Sequence, residues 1–146
     1  MGVEGVCSCV SCKFCRIVKG LEPSWTVYED ELVMAFLDIN PANRGHTLII
    51  PKKHYENIYD ISEKELKRVI VIAKRLAEVY REALGASGVN ILHASGRDAQ
   101  QDVFHFHIHL VPRYKNDELN LWYRTQPIRK AELSQITQKI RQHIKR

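Results

Sequence analysis

A chain of 146 residues with 45% hydrophobic content has the size of one domain and enough apolar material for a single ordinary core. No run of about 18 apolar residues occurs, which excludes a transmembrane helix; Met1–Ser11 has no continuous apolar stretch, so neither a secretory leader nor a membrane partner is expected and the chain is placed in the cytoplasm. The cysteines lie only at 7, 9, 12 and 15, too close together for a disulfide framework, and the net charge of +5 with a pI near 9.1 suits an anionic ligand.

In chain order, residues 1–11 read as a loose lead-in, and Cys12–Gly20 as a short helical turn that Gly20 ends. Pro23-Ser24 resets the chain. Trp25–Tyr28 and Leu32–Leu37 are β-rich runs joined through Glu29-Asp30-Glu31, which predicts a hairpin. Asp38–Gly45 is a loop of turn formers, and His46–Pro51 a third strand. Ser62-Glu63-Lys64-Glu65 has the capping-box form, in which a hydroxyl and a carboxylate three residues on satisfy each other's free backbone N–H groups. Leu66, Val69, Ile70, Ala73, Leu76, Ala77, Tyr80 and Leu84 then recur at helical spacing up to a stop at Gly85. Val89–Leu92 is a fourth strand, followed by the polar loop 93–100. Residues 114–146 form a basic extension in which Leu133, Ile136, Ile140 and Ile144 predict a C-terminal amphipathic helix.

Between loop and extension, Gln101–Arg113 alternates strictly: Phe104, Phe106, Ile108 and Leu110 share one parity, His105, His107 and His109 the other. That predicts a fifth strand with its apolar set on the core and the imidazoles in a row on the opposite face. At about 3.3 Å per residue, neighbouring histidines would stand roughly 6.6 Å apart, too far for one tetrahedral ion to take all three. Together the elements predict an α+β fold: a five-stranded antiparallel sheet, one long helix, a short N-terminal helix and a C-terminal helix, in one domain over 1–146.

His105-Phe106-His107-Ile108-His109-Leu110-Val111 has the form His-φ-His-φ-His-φ-φ. It follows Cys12-Lys13-Phe14-Cys15, Phe36-Leu37-Asp38-Ile39 and Gly45-His46-Thr47-Leu48-Ile49-Ile50-Pro51-Lys52-Lys53-His54 in that order. The set resembles the histidine triad (HIT) family of nucleotide hydrolases and transferases over roughly residues 12–113, and its zinc-containing bacterial and archaeal Hint-like branch in particular. The resemblance implies the same sheet and adds a homodimer, which nothing in the periodicity shows.

It also implies His107 as the nucleophile that attacks the α-phosphorus of a purine nucleotide, forming a nucleotidyl-histidine that water hydrolyses. A neutral imidazole with a pKa near about 6.5 is both nucleophilic and largely unprotonated at pH 7. His109 and His46 carry over as groups facing the phosphate, and Asp38 as the acceptor of the ribose hydroxyls. Asp102 departs from the commoner Ser or Thr; it is read as orienting a histidine or, with a raised pKa, as protonating a leaving amine. The loop His93–Gly96 lacks the Asn or Gln that relatives often show near Ala94, which leaves Ser95, Gln100 or Gln101 to supply a polar substrate contact.

Cys12 and Cys15 supply half of a tetrahedral zinc site, and the resemblance supplies His54 and His105 as the other half. Four protein ligands leave no open position, so the zinc would be structural. A rival set is Cys7, Cys9, Cys12 and Cys15. The activity so implied is release of a nucleoside monophosphate, with phosphoramidates the leading substrates. The alternatives are a dinucleoside polyphosphate hydrolase, which Leu110-Val111-Pro112-Arg113 resembles, a nucleic-acid-end deadenylase suggested by the basic extension, and a zinc-stabilised nucleotide-binding protein.

Overall fold

The structure, a computed structural model, describes residues 11–145. Five strands, β1 (Thr26–Glu29), β2 (Val33–Leu37), β3 (Thr47–Pro51), β4 (Gly88–Leu92) and β5 (Ile108–Arg113), form one sheet in the order β1-β2-β3-β5-β4 with every neighbouring pair antiparallel. Three helices accompany it: α1 (Lys13–Val18), α2 (Glu63–Leu84) and α3 (Lys130–His143). This is the predicted α+β architecture. Among the described residues no helix is long and apolar enough to cross a membrane.

Alternation along β2 and β3 sends side chains to two different cores. Val33, Ala35 and Ile49 join Phe106, Ile108 and Leu110 under α2, whose Val69, Ile72, Ala73, Leu76 and Tyr80 form the buried stripe. Met34, Phe36, Leu48 and Ile50 pack on the other face against Phe14 and Ile17 of α1. Each fully buried aliphatic or aromatic side chain stabilises the fold by about 1.5–3 kcal/mol, so both faces are firmly held. On α2, Ile72 takes the buried place while Ile70 of the predicted stripe is 44% exposed, because residues 69, 72, 73, 76 and 80 share the narrower arc that meets the sheet. The cap acts as expected: Ser62 Oγ accepts from the Glu65 N–H at 3.2 Å, and Gly85 closes the helix at φ 71°.

The hairpin turns on Asp30. Its Oδ1 accepts from the N–H groups of Leu32 and Val33 at 2.8 and 2.9 Å, while Oδ2 accepts from Tyr28 Oη and from Arg68 Nε of α2 at 2.8 and 2.7 Å. One carboxylate thereby shapes the turn and staples it to the long helix. The C-terminal helix forms where predicted, but no residue of α3 is buried, and Leu133, Ile136, Ile140 and Ile144 are all exposed.

The fifth strand is shorter than its alternation predicts. It begins at Ile108, so His109 alone of the triad lies in the ladder, and residues 101–107 form an arch instead. Side-chain hydrogen bonds outcompete the ladder there. Gln101 accepts from the Gly96 N–H at 2.8 Å and donates to the carbonyls of Glu56 and Val103 at 2.7 and 3.0 Å. The Phe106 N–H donates to the Tyr55 carbonyl at 2.6 Å, and the Pro51 carbonyl at the end of β3 accepts from the His105 ring at 2.8 Å.

Candidate functional site

The arch divides the three histidines between two sites. His105, fully buried, turns toward the N-terminus of α1, where Cys12 caps the helix and Cys15 sits one turn on. Its Nδ1 lies 3.5 Å from Cys12 Sγ, 3.5 Å from Cys15 Sγ and 3.2 Å from His54 Nδ1; Cys15 Sγ and His54 Nδ1 are 3.3 Å apart. A regular tetrahedron built on Zn–N and Zn–S bonds of about 2.0–2.1 and 2.3 Å has edges of about 3.3 Å between nitrogens and 3.6 Å between nitrogen and sulfur. These four distances fall close to those edges, and all four donor atoms lie within 4.8 Å of one another. Because a carbonyl only accepts, His105 Nε2 carries the proton it donates to Pro51, which leaves the Nδ1 lone pair aimed into the cluster. Burial holds the His105 pKa down to about 4, as the charged Born cost requires, so the ring is neutral as a metal ligand must be. These residues fit a four-coordinate metal. Cys7 and Cys9 of the rival set lie outside the described residues.

His107, also buried, holds the opposite tautomer. Its Nδ1–H donates to the carbonyl of His105 at 2.8 Å, which makes Nε2 the lone-pair nitrogen of the neutral ring, and His107 lines the cavity beside α1. Phe14 of α1 stands perpendicular to the ring at 5.2 Å between centroids. Asp102 Oδ1 lies 3.4 Å from His107 Nε2. Partial burial raises the Asp102 pKa, but the hydrogen bond from the Val103 N–H and the nearby His107 and His109 rings outweigh it and the net shift is downward. Asp102 is therefore a carboxylate, and the reading of it as an acid with a raised pKa is corrected.

His109 completes a proton-ordered chain. The Ala42 N–H donates to His46 Nδ1 at 2.9 Å, so His46 carries its proton on Nε2 and donates to His109 Nδ1 at 3.0 Å. His109 must then carry its own proton on Nε2. Burial lowers the pKa of both rings, that of His109 to about 4, so His109 acts as a neutral donor rather than as a cation. His46 is not among the residues that line the cavity; it stands behind His109, to which it donates its proton. Asp38, His46 and His109 also lie close enough to hold a metal ion, but an ion there would displace the proton shared between the rings.

The cavity encloses about 500 Å³ between α1, the end of β2 and the triad. Asp38, Asp102, His107 and His109 are among its polar lining residues, with Lys13, Glu22, Ser24 and Asn40; Phe14, Trp25, Ile39 and Val103 are among its apolar ones. Asp38 Oδ1 accepts from the Asn40 N–H at 2.8 Å, and Oδ2 lies 3.7 Å from His46 Nε2, so the residue both shapes its turn and presents a carboxylate. Gln101 and Ser95, expected at the substrate, lie elsewhere. Gln101 is occupied by its three backbone bonds, and Ser95 Oγ accepts from the Ile58 N–H at 2.9 Å.

Residues 19–116 match the HIT domain. The chain belongs to the HIT domain family. It is 50% identical over 106 residues to an uncharacterized HIT-like protein of Methanocaldococcus jannaschii, covering 73% of this chain and 81% of that protein. An adenosine 5'-monophosphoramidase of Schizosaccharomyces pombe is 35% identical over 138 residues, 93% of this chain and 100% of its own. Among solved HIT structures, SMU.412c from Streptococcus mutans superposes with a TM-score of 0.88 at 37% identity, covering 99% of this chain and 91% of that one. A zinc-bound histidine triad family protein from Mycobacterium smegmatis gives a TM-score of 0.74 at 39% identity, covering 88% and 97%.

Two contributors to this HIT site escaped sequence reasoning. Phe14 sits inside the Cys12–Cys15 motif, where its neighbours draw attention to metal rather than to packing. His93 donates to the backbone of the triad, a contact that no side-chain pattern announces.

Proposed function

We propose that this HIT protein is a nucleotide hydrolase that acts through a covalent nucleotidyl-His107 intermediate, with purine nucleoside phosphoramidates as substrates. The observation that carries the reading is the pairing at one cavity of His107, whose Nδ1–H is held by a carbonyl so that the neutral ring has its lone pair on Nε2, with His109, whose proton is on Nε2. The Nε2 lone pair attacks the α-phosphorus; the P–N bond to the ring forms as the bond to the leaving amine breaks, and the amine takes up a proton from solvent. His109 donates to a nonbridging oxygen as charge accumulates on it. The modified His107 ring is cationic, and the Asp102 carboxylate beside it offsets that charge until water releases the nucleoside monophosphate. Asp38 accepts from the ribose hydroxyls. The adenosine monophosphoramidase among the relatives supports this substrate class.

Zinc at Cys12, Cys15, His54 and His105 belongs to the same proposal, supported by the tetrahedral edge lengths and by the zinc-bound relative. It would supply cross-linking between α1 and the sheet and no part of the reaction. A homodimer is proposed as well, supported by the exposed apolar side chains Val89, Ile91 and Leu92 of edge strand β4.

The test is release of AMP from adenosine phosphoramidate and, in parallel, from diadenosine tetraphosphate, by wild type and by His107→Ala. Faster turnover of the phosphoramidate, lost in the variant, is expected. Faster turnover of the tetraphosphate would move the protein to the polyphosphate hydrolases, and no turnover of either would leave a binding protein.

A further inference from the structure

The nucleophile sits where the sheet stops holding the chain. In the β4–β5 register Leu92 pairs with His109, and β4 then peels away before it reaches His107. His93, the next residue, replaces the lost ladder with its side chain. Its Nδ1 lies 2.8 Å from the His107 carbonyl, and its ring stacks on Phe106 with centroids 4.5 Å apart and planes 29° from parallel. Since the carbonyl can only accept, Nδ1 carries the proton and Nε2 must accept. Ser95 Oγ is 2.5 Å from that Nε2 and itself accepts from the Ile58 N–H, so its hydroxyl proton is committed to the ring. The result is one directed chain: Ile58 N–H to Ser95, Ser95 O–H to His93, His93 N–H to the main chain of His107.

We propose that His93, with its tautomer set by Ser95, is a positioning residue that holds the main chain of His107 in its reactive orientation. The inference rests on the nucleotidyl-histidine reading above. His93 is not among the residues that line the cavity, so the contact through which it acts is the main chain of His107. Its effect travels through the peptide that carries the attacking ring. A displacement of the nucleophile by about 1 Å is enough to slow a reaction on the order of 100-fold. The chain also accounts for Ser95, whose hydroxyl has no other task at the site.

The experiment compares wild type, His93→Ala, His93→Asn and Ser95→Ala as metal-loaded full chains turning over adenosine phosphoramidate. Asn places an amide N–H where the imidazole Nδ1–H stood. The expected result is a kcat about 30- to 100-fold lower in His93→Ala with KM within about twofold, recovery to within about fivefold in His93→Asn, and an intermediate loss in Ser95→Ala. A merely structural role would lower the amount of folded protein without splitting kcat from KM, and Asn would not rescue it. An unchanged kcat in His93→Ala, or a His93→Asn as slow as the alanine variant, overturns the proposal. Should His93→Ala fail to fold, His93→Asn and Ser95→Ala decide: near-normal Asn with slowed Ser95→Ala supports it, and any other pair overturns it. An inactive wild type sinks the hydrolase reading and this one with it, whereas an active wild type with an equally active His93→Ala sinks this one alone.

Discussion

Along the triad the ring proton alternates in position: on Nε2 in His105, on Nδ1 in His107 and on Nε2 in His109. In each neutral ring a main-chain carbonyl or an already ordered imidazole selects the tautomer. Replacing His109 by Ala should therefore remove one oriented donor and lower kcat by about 10²- to 10³-fold, with metal content unchanged, as steady-state kinetics and metal analysis would show. The depressed pKa values of His109, His46 and, in metal-free protein, His105 also bear on stability. Their folded pKa values lie below the ordinary 6.5, so between 6.5 and about 4 the unfolded chain binds more protons than the folded one. Stability should be fully present above pH 6.5 and fall as the pH drops toward 4. Urea midpoints of metal-free protein across that window check this, and a flat profile would mean that the rings titrate normally.

Among the elements, the hairpin depends on Asp30, whose burial raises its pKa less than four hydrogen-bond donors lower it, to about 2. The stabilisation so gained is present above the ordinary value of 3.8 and is lost as pH falls toward 2. Asp30→Asn should cost about 1–2 kcal/mol at pH 7, and its midpoint should converge with that of wild type near pH 2. Elements were legible in the sequence where one periodic pattern met one cap, as in Ser62–Gly85, or where turn residues bracketed β-rich runs, as around Asp30. The start of β5 was not, because Gln101, His105 and Phe106 keep strand parity while their hydrogen bonds leave the ladder. In the Cys–His cluster, Cys12 and Cys15 stood out because their spacing is that of half a metal site, whereas His54 and His105 came from the family resemblance. His93 was not, since a side chain that binds a carbonyl has no required partner in the sequence.

For the whole molecule, the Phe14–Ile17 packing and the Cys–His cluster tie α1 to the sheet among the described residues. Removing the metal from the loaded protein with a strong chelator should lower the melting temperature by on the order of 10 °C, and Cys12→Ala should show a similar melting temperature before and after chelation. The exposed β4 edge makes a second prediction at this scale. Ile91→Lys should turn a dimer into a monomer in light scattering, since a lysine on an open edge opposes strand pairing. A wild type that is already monomeric would dismiss the dimer. Residue 105 shows how these levels are separated. Its ring belongs to the Cys–His cluster, while its carbonyl takes the Nδ1 proton of His107. The carbonyl comes with any amino acid, the imidazole with only one. A descendant chain could therefore shed both cysteines and the ring at 105, give up the cross-link, and still inherit a nucleophile with its lone pair pointing the right way.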